Sequence, residues 1–143
     1  MIQDKVHVHI ERLQINGGDW EVIDQVTGIG LETMATKLGS NTTEESWMPF
    51  LAIGDGVTLP SSEDTTLESE VFRKRGTVTV IKNTYFIEAD FAVDEPTDDT
   101  YIREVGIFDA VSGGNMGARW TLVDEVLKEY DIGIHIKIAI SIT

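Results

Sequence analysis

Cysteine is absent from the 143 residues. That excludes disulfide scaffolds, thiolate zinc sites and cysteine nucleophiles, and leaves the redox compartment open. Basic residues are scarce: Lys and Arg number 11 against 25 Asp and Glu, for a formal charge of −14. A duplex-binding surface needs clustered cations to release phosphate counterions, so nucleic acid is not an expected partner. An anionic bilayer would repel the chain too. No run approaches the ~20 apolar residues of a membrane helix. The N-terminal MIQDKVHVHIERL is too polar and charged for the core of a signal peptide. The expectation is a protein made in the cytoplasm, with no export address of its own and no membrane partner.

What the chain does have is alternation. KVHVHIERL (5–13) puts Val6, Val8 and Ile10 on one side and His7, His9 and Glu11 on the other, the pattern of a half-buried strand. FLAIGDGVTLP (50–60) reads as a short strand that ends in a turn at Gly54-Asp55-Gly56. GTVTVIK (76–82) and YFIEADFAV (85–93), joined by a turn at Asn83-Thr84, make an antiparallel hairpin. YIREVGIFDA (101–110) is another strand, SGGN turns the chain, and GARWTLV leads away. In DIGIHIKIAISIT, isoleucine occupies 132, 134, 136, 138, 140 and 142, the alternation of one long strand.

Two segments change period. In GIGLETMATKL (28–38), Ile29, Leu31, Met34, Ala35 and Leu38 follow helical spacing, with Gly39 placed as a C-cap. SSEDTTLESEVFRKR offers Ser62, Asp64 and Thr65 as N-caps and ends on Arg73, Lys74 and Arg75, a charge order that suits a helix dipole over about 64–74. Leu67, Val71 and Phe72 would be its buried stripe. The fold class expected is mainly β (α+β): one domain over 1–143, an antiparallel β-sandwich or half-barrel with one or two short helices.

The candidate chemistry is thin. In a strand over 102–108, Ile102, Glu104, Gly106 and Phe108 share one face, and Arg103, Val105 and Ile107 the other, so Arg103 and Glu104 cannot act as a pair. A buried member of the two needs an opposite charge, and the 64–74 segment offers Arg73 for Glu104 or Glu70 for Arg103. Arg73 with Glu104 is the expected structural ion pair. Gly113-Gly114 and Gly54-Asp55-Gly56 lack the lysine and hydroxyl residue of a phosphate loop and read as turns needing positive φ. His7 and His9 could face a metal from one strand only with His135 as third ligand, and a solvent-facing pair is the better reading. Asp94, Glu95, Asp98 and Asp99 lack EF-hand spacing and read as solvated acids. No G-x-S-x-G elbow is present, and no pair of carboxylates is positioned by the pattern. Neither a catalytic residue, a metal site nor a cofactor is expected.

The segments VTGIGLETMATKL, LAIGDGVTLPSSEDTTLESEVFRKR and YIREVGIFDAVSGGNMGAR, in that order, resemble small domains of tail-fibre, tail-collar and baseplate proteins of tailed bacteriophages. In those domains a short helix precedes a Gly-x-Gly segment that ends in Leu-x-x-Glu-Val-x-Arg, and a strand of the type Glu-x-Gly-x-Phe-Asp-Ala follows. The likeness covers roughly residues 27–120. It implies a structural virion protein of the tail that forms a symmetric oligomer, a trimer or hexamer, and docks other tail proteins; it carries no catalytic residue across. Many such domains open a long fibre, whereas this sequence ends after one domain, so an adaptor, collar or baseplate role is expected over receptor recognition. The alternative is a carbohydrate- or receptor-binding β-sandwich in which Trp20, Trp47 and Trp120 form stacking platforms. A small hydrolase would need a concave pocket with converging acids.

Overall fold

Two antiparallel sheets face each other across one apolar layer in the computed structural model, which describes residues 8–15, 47–82 and 84–142, with side chains over 47–82 and 84–140. The described strands are β1 (Val8–Ile15), β2 (Phe50–Gly54), β3 (Glu70–Arg75), β4 (Thr77–Ile81), β5 (Thr84–Phe91), β6 (Thr100–Phe108), β7 (Met116–Lys128) and β8 (Ile134–Ile142). One sheet runs β1-β8-β5-β4 and the other β3-β2-β6-β7. The architecture is mainly β and sandwich-like. Among the described residues no helix is long and apolar enough to cross a membrane.

Alternation builds the layer. Ile134, Ile136, Ile138 and Ile140 of β8 and Tyr85, Ile87, Ala89 and Phe91 of β5 meet Leu51, Ile53, Ile102, Val105, Ile107, Ala118 and Trp120 from the opposite sheet. Each fully buried isoleucine contributes about 1.5–3 kcal/mol relative to an exposed one. On the outer face of β5 and β8, Glu88 and Asp90 stand opposite Lys137 and His135. The half-exposed His135 ring sits 2.6 Å from Asp90 and 3.2 Å from Glu88. This is a solvated charge ladder on a sheet whose other side is dry. β8 lies between β1 and β5, so its long isoleucine row is an internal strand.

The helix expected over 64–74 is not there; that stretch is a loop followed by β3. Of the expected N-caps, Asp64 does sit in a turn, its N–H donating to Ser61 O and its Oδ2 accepting from Ser61 N–H. The chain then extends and pairs with β2, Phe50 opposite Arg75 and Ile53 opposite Phe72. A register shift between Ile53 and Gly54 leaves one extra residue, Val71, in β3. That bulge puts Glu70 and Arg73 side by side, so spacing that imitates a helical i,i+3 pair comes from a strand. The helix expected over 28–38 lies outside the described residues.

One smaller expectation also shifts. The 4–5 hairpin closes at the pair Ile81 and Thr84, with Lys82 in the left-handed region (φ 54), so the turn begins one residue earlier than Asn83-Thr84. At Gly76 the chain leaves one sheet and enters the other, β3 and β4 being almost one continuous strand.

Candidate functional site: a buried carboxylate under the 55–69 loop

β6 delivers Glu104 to the outer face of its sheet, where the 55–69 loop closes over it. The register against β7 slips between Ile102 and Glu104. Ile102 therefore joins Val105 and Ile107 in the main core, and the expected face of Ile102, Glu104, Gly106 and Phe108 holds only from Glu104 onward. Arg103 and Glu104 do not pair. Arg103 Nε reaches Glu125 Oε2 at 2.6 Å.

Glu104 is fully buried, and four donors surround its carboxylate. Oε1 accepts from Glu68 N–H at 2.9 Å and Arg119 Nε at 2.8 Å. Oε2 accepts from Gly56 N–H at 2.9 Å and Ser69 N–H at 2.7 Å. Burying a charge is costly unless it is paired and hydrogen-bonded, and here both conditions are met. Gly54 and Gly56 stand where they do because of close approach, and neither has the positive φ expected of it. A Cβ on Gly54 would lie 2.7 Å from Glu104 Oε2, and one on Gly56 would strike the same oxygen. With both oxygens saturated and no solvent access, this carboxylate clamps a loop to a sheet and has no lone pair directed at a substrate.

The ion pair expected between Arg73 and Glu104 is corrected on both sides: the partner of Glu104 is Arg119. The Arg119 side chain is 3% exposed and also reaches Asp64 Oδ2 at 3.2 Å. Arg73 makes a bidentate pair with Glu70, at 2.7 and 3.0 Å. Its guanidinium lies 3.5 Å over the Phe108 ring, and Nη1 donates to Ala110 O and Gly113 O. So Arg73 holds the 109–115 turn. Within that turn Asp109 Oδ1 accepts from Asn115 N–H, and Gly113 (φ 60) and Gly114 (φ 71) take the left-handed conformations expected of them. Beneath, Phe50, Ala52, Leu67, Phe108 and Met116 form a second apolar cluster.

Around this clamp the loop carries its own acceptor. Glu68 takes Val57 N–H and Thr58 N–H on Oε1, and the Thr58 hydroxyl on Oε2. The Thr58 hydroxyl, above all, holds the Glu68 carboxyl below the usual carboxylate range. A cleft of about 270 Å³ between Thr58, Glu63, Asp64 and Arg119 borders it. A larger one of about 420 Å³ is lined by Val57, Leu59, Leu122 and Val123 together with Arg103, Thr121, Asp124 and Glu125. Val57, Leu59 and Val123 are 68, 78 and 86% exposed.

The remaining candidates disperse. Asp94, Glu95, Asp98 and Asp99 form no metal cluster among the described residues. Glu95 accepts from Lys74 Nζ and Ala92 N–H, and the Lys74 bond chiefly holds its carboxyl below the usual range. Asp99 accepts from Tyr130 N–H. Lys128, 1% exposed, donates to Ala92 O and Glu129 O. In the β1–β8 register His9 faces Ser141, six residues along β8 from His135, roughly 20 Å, so the two do not meet. His7 and Trp20 lie outside the described residues. Trp47 and Trp120 are core residues, 7 and 0% exposed.

Arg119 is the residue that sequence reasoning missed. A signal existed: folding the chain back about the 109–115 turn brings 116–121 against 104–108, and Arg119 is the one cation in that stretch. No family model, curated protein or solved structure matches the chain.

Proposed function

We infer that the chain is a structural protein of a bacteriophage tail, a fibre, baseplate or collar component or adaptor that docks other tail proteins. The observation that carries this reading is the convergence of the resembling segments on one packing unit. Gly54, Gly56, Leu67, Glu70 and Arg73 from one segment close on Glu104, Phe108, Asp109, Gly113 and Arg119 from the other. These motif residues hold a loop and a turn on a sheet, which is the role a structural domain asks of them. The amphipathic helix read over 28–38 belongs to the same proposal, since it precedes the Gly-x-Gly segment in the resembling domains.

The subunit acts in the virion after synthesis in the bacterial cytoplasm, as a trimer or hexamer. The exposed Val57, Leu59 and Val123 around the 420 Å³ cleft are apolar surface of the kind a neighbouring subunit covers. The glycan-binding alternative gains no support from Trp47 and Trp120, whose rings are inside the core. The test is immunogold labelling of purified particles with antibody against this chain, together with the identity of the flanking genes. Gold on the tail and tail genes on either side are expected. Unlabelled particles, or a gene set without tail components, would overturn the reading.

A further inference from the structure

We propose that β4 is a self-complementary edge through which two copies of the chain join by a two-fold axis at Thr79. The inference rests on the edge itself and goes beyond the tail reading, with which it need not stand or fall. Among the described residues nothing pairs with the outer side of β4, which ends the order β1-β8-β5-β4. Soluble proteins blunt such edges with charge, proline or a bulge. β4 has none of these. Its sequence is Thr77-Val78-Thr79-Val80-Ile81, and its register against β5 runs unbroken from Thr77 opposite Glu88 to Ile81 opposite Thr84.

Two observations name the occupant. The first is charge: in a chain of net charge −14, residues 76–81 contain no charged side chain, so two copies meeting along this edge bring no like charges of the strand together. The second is the sequence read from both ends. An antiparallel two-fold at Thr79 sets Thr79 opposite its copy, Val78 opposite Val80 of the other copy, and Thr77 opposite Ile81. Threonine faces threonine and valine faces valine, pairs that stabilise a ladder. It is an isologous contact, which closes at two. Val80, opposite Tyr85 on the core side of its sheet, is 64% exposed, and Ile81 is 56% exposed. In the paired edge Val78 and Val80 of both copies form one continuous apolar row. The two sheets become one of eight described strands.

The contact is short, five residues a side, so the association is concentration-dependent. It fits a hexamer built as three dimers and does not fit a trimer closed through this edge. Because the chain has no cysteine, one substitution tests the register. Directly opposed residues of an antiparallel pair have Cα atoms about 4.5–5.5 Å apart, within the span of a disulfide. Thr79→Cys, at an exposed position, is expected to oxidise to a covalent dimer on a non-reducing gel. Thr77→Cys places its two sulfurs on residues roughly 13 Å apart along the strand and is expected to cross-link at least tenfold more slowly.

Light scattering of the unmodified chain should show dimers or multiples of dimers that dissociate on dilution. Val80→Lys should raise the dissociation constant at least tenfold with an unchanged far-UV circular dichroism spectrum. Equal cross-linking of the two cysteine variants, dimers that survive Val80→Lys, or an unmodified chain that is a monomer or a closed trimer at every concentration would each overturn the proposal. A closed trimer with tail labelling would sink this edge contact and leave the tail reading standing; dimers without tail labelling would do the reverse.

Discussion

Glu104 and Arg119 show how one buried charge organises a region. The carboxylate is held by three backbone N–H groups and one guanidinium, so the two partners are unequal. Glu104→Gln keeps a single acceptor oxygen and turns an amide N–H₂ toward backbone donors, and it should cost about 3–5 kcal/mol. Arg119→Met leaves the carboxylate its three N–H bonds and should cost less, about 2–3 kcal/mol. Urea midpoints at neutral pH check the order; equal losses would mean that the ion pair, not the loop clamp, dominates. Tyr85 provides a pH signature at the same scale. Its hydroxyl exchanges hydrogen bonds with Met48 N–H and Met48 O, both at 3.1 Å, and burial pushes its pKa up from 10.0 to about 12. The fold favours the neutral phenol, so this contribution is complete below pH 10 and is lost as the pH rises through about 12. Tyr85→Phe should flatten the alkaline limb of the stability curve while lowering stability at neutral pH by about 1 kcal/mol.

At the scale of the element, the 109–115 turn and β3 depend on geometry that composition hints at and does not settle. Gly113 and Gly114 are both left-handed, but their surroundings differ. A Cβ on Gly113 meets nothing within 4 Å, whereas one on Gly114 would lie 2.5 Å from Asp109 Oδ1 and 2.6 Å from Ala110 Cβ. Gly113→Ala should therefore cost only the conformational term, about 1 kcal/mol, and Gly114→Ala roughly twice that or more. Thermal midpoints of the two variants separate the cases. β3 is a strand because the open side of β2 needs a ladder partner, and Phe50, Leu51, Ala52 and Ile53 have one in Phe72, Arg73, Lys74 and Arg75. Tertiary pairing overrides the capping and dipole signals of 61–75, which are local and worth a few tenths to about 1 kcal/mol each.

For the whole molecule, charge sets the conditions. A net charge of −14 on 143 residues repels itself in the compact state, and salt screens that repulsion. Raising sodium chloride from about 0.05 to 0.5 M should raise the melting temperature by roughly 2–5 °C. A fall instead would mean that attractive pairs such as Lys74 with Glu95 outweigh the net field. Residues 76–81, which include the β4 edge, carry none of that charge.

The sequence by itself determined the alternating strands and hence the mainly β class. Period-two apolarity has one stable outcome, burial of one face, and β2, β4, β5, β6 and β8 fall where the pattern puts them. Gly113 and Gly114 were legible for the same reason: a tight reversal needs positive φ. Only the tertiary structure decided the partner of Glu104, the strand identity of 70–75 and the role of Gly54 and Gly56. Each depends on what lies across a register, and bulges at Val71 and between Ile102 and Glu104 change the facing of residues that simple alternation would assign. Local propensity acts over a few residues; Arg119 meets Glu104 from 15 residues away, and Gly56 meets it from 48. Contacts at that separation are fixed by sheet register, which the chain settles only when both sheets close on a common core.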